Sequence, residues 1–211
     1  MAHDSHDHPH AEITAEPVSY YEILETSLRE LLIERGLIGA DEIHRQIDVL
    51  DSRTPALGAR LVARAWSDPD FHTRFVADGR AVCEEMGITF YDDTLLIVLE
   101  NTPTVHNLIV CTLCSCYPRP VLGLPPDWYK LKPYRARAVS EPRKVLAEFG
   151  TLIPDDVEVR VHDSTAIVRY FVLPMRPDGT DGWNEEQLAA LVTRDSMIGV
   201  TLPTVPAQGA V

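Results

Sequence analysis

Three of the four cysteines in this 211-residue chain fall within six residues, Cys111-Thr112-Leu113-Cys114-Ser115-Cys116. Thiolates bind borderline and soft metal ions strongly, and a C-x-x-C-x-C segment can fold three sulfurs around one ion. A structural zinc site would take a fourth ligand from a second C-x-x-C or a histidine pair, and the sequence offers neither. His106 lies five residues before Cys111, but on a strand it reads as a hydrogen-bonded core histidine rather than a ligand. Three sulfurs without a fourth side chain leave an open catalytic ion, or ligation completed by backbone atoms. The competing reading is a disulfide or redox thiol pair, since cysteines at i and i+3 can bridge. A third cysteine two residues later is poor stapling and good coordination, and a secreted disulfide framework would spread its cysteines to close loops. Cys83 stands alone in a helical stretch and reads as a buried, inert thiol.

A second concentration of metal-binding side chains lies at the start, where His3, His6, His8 and His10 alternate with aspartates. Residues 1–18 are too polar to bury a core, so a disordered, solvated tail is expected, with loose divalent-metal binding as the functional alternative. Ser19-Tyr20-Tyr21-Glu22 is a capping box that opens a helix carrying Tyr21, Leu24, Leu28, Leu31 and Leu32 on one face, with Gly36 as its stop. A second short helix starts near Asp41 and ends before Pro55. The narrow apolar stripes of the two make residues 19–54 an arm that lies on its own domain or on a partner.

The remainder, residues 55–211, has to hold the cysteines in place. Pro55 opens a helix with Leu57, Leu61, Val62, Ala65 and Trp66 on its buried side. Asp68-Pro69 caps another, which is expected to run through Phe71 and Phe75 toward Met86 and to close at Gly87. The period then changes. Leu95 to Glu100 and Val105 to Val110 read as strands, separated by the turn Asn101-Thr102-Pro103. The proline-rich segment from Cys111 to Lys130 reads as loop, and Arg143 to Phe149 as a short helix. Val157, Val159 and Val161 alternate with polar residues, and Asp163-Ser164 is expected to turn them into a hairpin with Ile167 to Leu173. Asn184 caps a last helix with Leu188, Leu191 and Val192 on its apolar face. Helices, then strands, then a mixed end predict an α+β fold rather than a doubly wound sheet.

The composition is that of a globular domain, 45% hydrophobic and 24% charged. A net charge of −13 repels phosphate backbones and argues against nucleic acid. No apolar run approaches the roughly 18–20 residues of a membrane span. No basic region leads into an apolar stretch at the start, so a cytoplasmic protein is expected.

In its context the cysteine cluster is similar to the metal claw of nitrile hydratase α subunits. The resemblance extends upstream to Glu100-Asn101-Thr102 and Val105-His106-Asn107. Downstream it takes in Tyr117-Pro118, the run Pro120 to Lys130, and Tyr134-Arg135. It continues through Arg169-Tyr170, Arg176-Pro177, Gly179 to Trp183, and Leu191 to Val200, covering about residues 19–200. The resemblance implies a helical arm followed by a layered αββα domain. It implies that Cys111, Cys114 and Cys116 bind a low-spin trivalent metal together with the backbone amides of Ser115 and Cys116. It further implies sulfinate at Cys114, sulfenate at Cys116 and a thiolate at Cys111. Thr112 follows the pattern of the cobalt type, where the iron type has serine, so one non-corrin Co(III) per subunit is expected in preference to iron. Coordinated thiolates open to solvent climb the oxidation ladder, which fits this scheme.

The implied activity is hydration of a nitrile to the amide, with the metal as Lewis acid and the Cys116 sulfenate as nucleophile or as the base for a water. Ser115 is expected to hydrogen-bond beside the metal, and Tyr117 and Arg119 to line the substrate pocket. A β-type subunit, single or split, is expected to close the pocket in a hetero-oligomer, and a separate activator could load the metal. Arg119 departs from the tryptophan of common cobalt nitrile hydratases. A cation there suits an anionic substrate, and the chain also resembles the thiocyanate hydrolase γ subunit in Glu22-Ile23-Leu24-Glu25, in Ala59-Arg60-Leu61-Val62-Ala63 and in its His/Asp-rich start. That relative converts thiocyanate to carbonyl sulfide and ammonia, the alternative reading for this chain. The plain reading of Arg119 is a salt bridge to an acidic neighbour or to the partner chain, and arginine here also fits nitrile hydratases with divided β-type subunits. A non-catalytic thiol or metal-storage protein is the reading of another class. Trp66, Trp128 and Trp183 read as core or interface anchors, and Arg169 and Arg176 as ion-pair partners. Arg135 and Arg137 face either the partner subunit or solvent.

Overall fold

The computed structural model describes residues 19–90, 93–114 and 116–206. The histidine-rich segment singled out above lies outside them. The chain divides into two units, Met1–Asp48 and Val49–Val211.

In the first unit, α1 (Tyr20–Glu34) opens on the expected capping box. The Ser19 hydroxyl accepts from the Glu22 amide at 3.2 Å, and the Ser19 amide donates to the Glu22 carboxylate at 2.7 Å. Helix α2 (Ala40–Asp51) follows and runs across the unit boundary. No residue of either helix is buried.

The second unit begins with α3 (Pro55–Ser67), α4 (Pro69–Ala77) and α5 (Gly79–Glu85). The single helix expected from Asp68 to Gly87 is two. Asp78 leaves helical geometry, and its carboxylate caps α5 by accepting from the Ala81 amide. Gly79 explains the break, because a Cβ there would lie 2.6 Å from Val98 Cγ2 and 3.0 Å from the Leu96 carbonyl. The chain must part at that point to let a backbone touch a strand.

Four strands follow in pairs: β1 (Leu95–Glu100), β2 (Val105–Val110), β3 (Glu158–Asp163) and β4 (Val168–Leu173). The expected β3–β4 hairpin does not form. β1 pairs in parallel with β4, Leu95 opposite Val168, and β2 pairs in parallel with β3, Val105 opposite Glu158. Residues 164–167 carry the chain from one two-stranded sheet to the other. The reason lies in the earlier runs. β1 is apolar in all but its last residue and β2 is buried in all but its first, sequences that suit parallel pairing, and each takes one later strand as its partner.

Between β2 and β3 lie α6 (Arg119–Leu122), α7 (Asp127–Lys130), α8 (Lys132–Ser140) and α9 (Pro142–Glu148). The segment read as loop therefore contains two short helical turns, and α8 was not foreseen. After β4 come α10 (Glu185–Ala189), capped by Asn184 as expected, and α11 (Arg194–Ile198), capped by Thr193. The expected last helix is thus shorter, and Leu191 and Val192 lie beyond its end.

These elements stack as αββα. Helices α4 and α5 pack on the β1–β4 sheet, β4 meets β2 across the middle, and α8 and α9 cover the β2–β3 sheet. The core runs through all four layers. Leu108, Ile109 and Val110 of β2 are at most 1% exposed, and burying each stabilises the fold by about 1.5–3 kcal/mol. Tyr134 of α8 donates its hydroxyl to the Ile109 carbonyl at 2.6 Å.

A buried polar chain crosses this core. His106 Nε2 donates to the Gly199 carbonyl at 2.7 Å, while Nδ1 accepts from Asn101 Nδ2 at 3.3 Å. Asn101 Oδ1 accepts from the Asn107 backbone amide at 2.8 Å and from its side-chain amide at 3.0 Å. His162 Nε2 then donates to Asn107 Oδ1 at 2.9 Å. His106 is therefore the hydrogen-bonded core histidine expected. Gly199, at φ +91°, ends α11, and a Cβ there would stand 2.0 Å from the Asn107 carbonyl, so only glycine lets the C-terminal region close on β2.

Burial lowers the pKa values of His106 and His162 below the ordinary 6.5; the Gly199 bond opposes this at His106, and the charge of Arg160 reinforces it at His162. Both rings are neutral in the fold, so below pH 6.5 the unfolded chain binds more protons than the folded one. Stability is then full above about pH 6.5 and declines as pH falls below it. Urea unfolding of the purified protein should show a lower midpoint at pH 5.5 than at pH 7.5. A midpoint that holds steady across that range would contradict the neutral network.

Candidate metal centre

Strand β2 delivers the cysteines. Its last residue, Val110, is fully buried, and Cys111, the next, is 0% exposed. Beyond it the chain turns toward solvent, leaving Cys114 exposed and Cys116 half-buried. The three sulfurs converge: Cys111 Sγ lies 3.5 Å from Cys114 Sγ, which lies 3.2 Å from Cys116 Sγ, and all fall within 4.8 Å of one another. The Cys114 amide donates to Cys111 Sγ at 3.3 Å. Three free thiols around one point are what ligation of one ion requires and a single disulfide does not. Among the described residues no histidine or carboxylate joins the group, which matches the sequence's lack of a fourth ligand. The donor set is soft and fits a transition metal rather than a hard cation.

The loop is held at both ends. At the start, Thr112 donates its amide to Asp163 Oδ1 at 2.9 Å and its hydroxyl to Asp163 Oδ2 at 2.5 Å. Its carbonyl accepts from Arg135 Nη1 at 3.1 Å. At the far end the Tyr129 hydroxyl donates to the Cys116 carbonyl at 2.9 Å. Tyr129 is fully buried and sits edge-on to Tyr117, with ring centroids 5.2 Å apart. Burial pushes the Cys116 thiol up to about 12, and its hydrogen bond to Cys114 adds to this, while the Arg169 guanidinium pulls in the opposite direction.

Of the residues singled out from the sequence, Cys111, Thr112, Cys114 and Cys116 are brought together. Ser115 lies outside the described residues. Tyr117 is buried, with its ring against that of Tyr129. Arg119 opens α6 and is exposed, and among the described residues its side chain makes no ion pair with an acidic neighbour of this chain. Among the described residues Arg169 and Arg176 form no ion pair. Arg169 donates to the Thr165 carbonyl, and its charge acts on the Cys116 thiol. Arg176 bonds Thr180 and the Trp66 carbonyl. Arg137 pairs with Glu141 at 2.6 Å and Glu148 at 2.5 Å. Trp66 anchors to the Pro174 carbonyl, and Trp128 packs edge-on against Tyr134 and Phe149. The supporting roles of Asp163, Tyr129 and Arg135 were missed. Asp163 could be found only by knowing that β3 pairs with β2.

The fold and the cysteines define an αββα protein with a three-sulfur metal claw at the end of a buried strand. The chain belongs to the nitrile hydratase α-chain family, whose model ("Nitrile hydratase, alpha chain") matches residues 19–201. It is 55% identical over 183 residues to the low-molecular weight cobalt-containing nitrile hydratase subunit alpha of Rhodococcus rhodochrous, covering 86% of this chain and 88% of that one. It is 46% identical over 199 residues to thiocyanate hydrolase subunit gamma of Thiobacillus thioparus, covering 89% and 82%. Among solved structures, a recombinant thiocyanate hydrolase with partially modified cobalt centres superposes with a TM-score of 0.83 at 46% identity, covering 89% of this chain and 92% of that one. A double mutant of the Fe-type nitrile hydratase of Comamonas testosteroni Ni1 gives 0.82 at 41%, covering 90% and 96%.

The burial order of the thiols is open to direct measurement. In metal-free protein, brief iodoacetamide treatment followed by peptide mass analysis should label Cys114 first and Cys116 more slowly. Cys111 and Cys83 are fully buried, and burial pushes the Cys83 thiol up to about 12, so both should stay unlabelled until the protein is denatured. Early labelling of Cys83 would contradict the described core.

Proposed function

We propose that this chain is the metal-holding catalytic subunit of a cobalt nitrile hydratase, working in a hetero-oligomer with a β-type partner, single or split. The observation that carries the reading is the convergence of Cys111, Cys114 and Cys116 on one point, with no fourth histidine, cysteine or carboxylate among the described residues, in a chain whose relatives include three named as cobalt-containing nitrile hydratases. Cys111, Cys114 and Cys116 would hold one non-corrin Co(III), with the backbone amides of Ser115 and Cys116 completing the set. A bound trivalent cobalt would supply Lewis acidity, drawing electrons from a nitrile so that its carbon accepts an oxygen nucleophile. The reaction adds one water across the C≡N bond and yields the carboxamide.

The chain's own groups then divide the work. Cys111, buried, is shielded and stays a thiolate. Cys114 and Cys116, open to oxidant, become sulfinate and sulfenate. Either the Cys116 oxygen takes the proton of a water that attacks the nitrile carbon, or it bonds to that carbon itself and a water then cleaves the S–O–C linkage, restoring the sulfenate as the amide leaves. The charge of Arg169 pulls the Cys116 thiol toward its anion and would favour the negative charge that an oxidised sulfur carries. Tyr129 fixes the Cys116 backbone, so that the reacting oxygen keeps its direction. Ser115 would hydrogen-bond beside the metal, and a loading activator would insert it.

The thiocyanate reading has one observation of its own, the exposed and unpaired Arg119, three residues past the claw. Thiocyanate carries a C≡N group and a negative charge that a free guanidinium would attract. Its products would be carbonyl sulfide and ammonia.

Co-expression with genomic neighbours in cobalt medium, followed by assays on a simple nitrile and on thiocyanate, separates the two. Amide without ammonia is expected. Ammonia from thiocyanate with little amide would move the function to thiocyanate hydrolysis, and Arg119→Leu should then raise KM for thiocyanate. Neither product from a cobalt-loaded complex would sink both. Cys116→Ser should lower amide formation by about 1000-fold, as loss of several kcal/mol of transition-state stabilisation does.

A further inference from the structure

We infer that Asp163 is a positioning residue for the claw, acting through Thr112, with Arg135 holding the same residue from its other end. The inference rests on the metal reading proposed above. Every polar atom of Thr112 is engaged. Its amide and hydroxyl go to the two oxygens of one carboxylate, at 2.9 and 2.5 Å, and its carbonyl accepts from Arg135 at 3.1 Å. An anion at the N–H end and a cation at the C=O end flank this residue along the direction of its backbone dipoles.

The position of Asp163 in the sheet explains why it can do this. It is the last residue of β3 and stands opposite Val110, the last residue of β2. The Ser164 amide donates to the Val110 carbonyl at 2.7 Å, and the main-chain ladder then stops. Two residues on, the Asp163 side chain accepts the Thr112 amide, so a carboxylate continues the pairing past the end of the strands. Two bonds from one rigid group fix both the backbone plane of Thr112 and its side-chain rotamer. Thr112 links buried Cys111 to the turn that brings Cys114 within 3.5 Å of it. A swing at this residue would change that separation. Ligand-orienting partners of this kind govern how well a first set of ligands meets its metal.

The contact is exposed on both sides, so substitutions there test geometry without opening the core. The bond uses the threonine hydroxyl, which serine shares and valine lacks. Asparagine keeps an acceptor for the Thr112 amide, and alanine removes both bonds.

The test is a series in the full chain, co-expressed with its β-type partner in cobalt medium: Thr112→Ser, Thr112→Val, Asp163→Asn, Asp163→Ala, and the Thr112→Val/Asp163→Ala double variant. Cobalt per chain, the oxygen gained by the claw peptide, and the position of the sulfur-to-cobalt absorption band are read beside activity. Thr112→Ser keeps the hydroxyl bond to Asp163 and should retain clearly more cobalt and claw oxidation than Thr112→Val. Thr112→Val and Asp163→Ala should purify folded, with less cobalt per chain, incomplete oxidation and a shifted band, and with activity down about 10-fold or more. Asp163→Asn should fall between wild type and Asp163→Ala, and the double variant should be no worse than Asp163→Ala, since both changes break the same bond. Unchanged cobalt, oxidation and band in both Thr112→Val and Asp163→Ala would overturn this inference and leave the metal reading standing. So would a loss in Thr112→Ser as deep as in Thr112→Val. A wild-type complex that takes up no cobalt would overturn the metal reading, and this inference with it.

Discussion

The burial of β2 on both faces is the constraint from which the rest of the catalytic unit follows. Five of its six residues are buried, and a strand in that position has to satisfy its backbone on its edges and its side chains above and below. β3 supplies the edge, β4 the layer on one face, and α8 and α9 the layer on the other. Because this strand cannot shift without exposing Leu108, Ile109 and Val110, the residue that follows it is fixed as well. That residue is Cys111. One sulfur of the cluster is thereby anchored to the hydrophobic core, while the two that must meet solvent sit on the turn beyond.

Polar groups finish what apolar burial begins. The chain from Gly199 through His106, Asn101 and Asn107 to His162 satisfies donors and acceptors that β2 and its neighbours bring inside, where an unpaired group costs about 1–3 kcal/mol. It also ties the C-terminal helical turn to the same strand. Around the claw the contacts are of another kind: a carboxylate, a guanidinium and a phenol, each reaching a main-chain atom. The loop is steered largely through its backbone, at the Thr112 amide and carbonyl and at the Cys116 carbonyl.

Much of this was legible in the residues. The spacing of Cys111, Cys114 and Cys116, with no companion histidine pair, announced a three-sulfur site, and His106 was placed in the core by its position on a strand. Helix starts were legible wherever a cap carried them, at Ser19, Asp68 and Asn184. Pairing was not. Asp163-Ser164 looks like a hairpin turn because turn chemistry is local, whereas the choice of partner for β3 and β4 is made by buried surfaces on β1 and β2 dozens of residues away. The break at Asp78-Gly79 was hidden for the same reason: only the approach of β1 requires it. Arg169 and Arg176 were expected to find carboxylates, but arginines satisfy carbonyls as readily: Arg169 bonds the Thr165 carbonyl and Arg176 bonds Thr180, each four residues away, while the Trp66 carbonyl reaches Arg176 only in the assembled fold. The anchors of the claw share this property, since each belongs to an element whose place depends on the assembled sheet.

Parallel pairing has a consequence for how the protein is made. Thr112 and its Asp163 anchor are 51 residues apart, and no tight turn can join parallel strands. During synthesis the three cysteines therefore leave the ribosome well before the strand that will hold their loop, and at typical elongation rates the interval is roughly 3–10 s. For that interval the thiols belong to an unfinished chain, chemically ordinary and open to any oxidant or stray ion. The order of the gene thus makes the geometry of the claw a late product of translation, assembled only once β3 is available to meet β2.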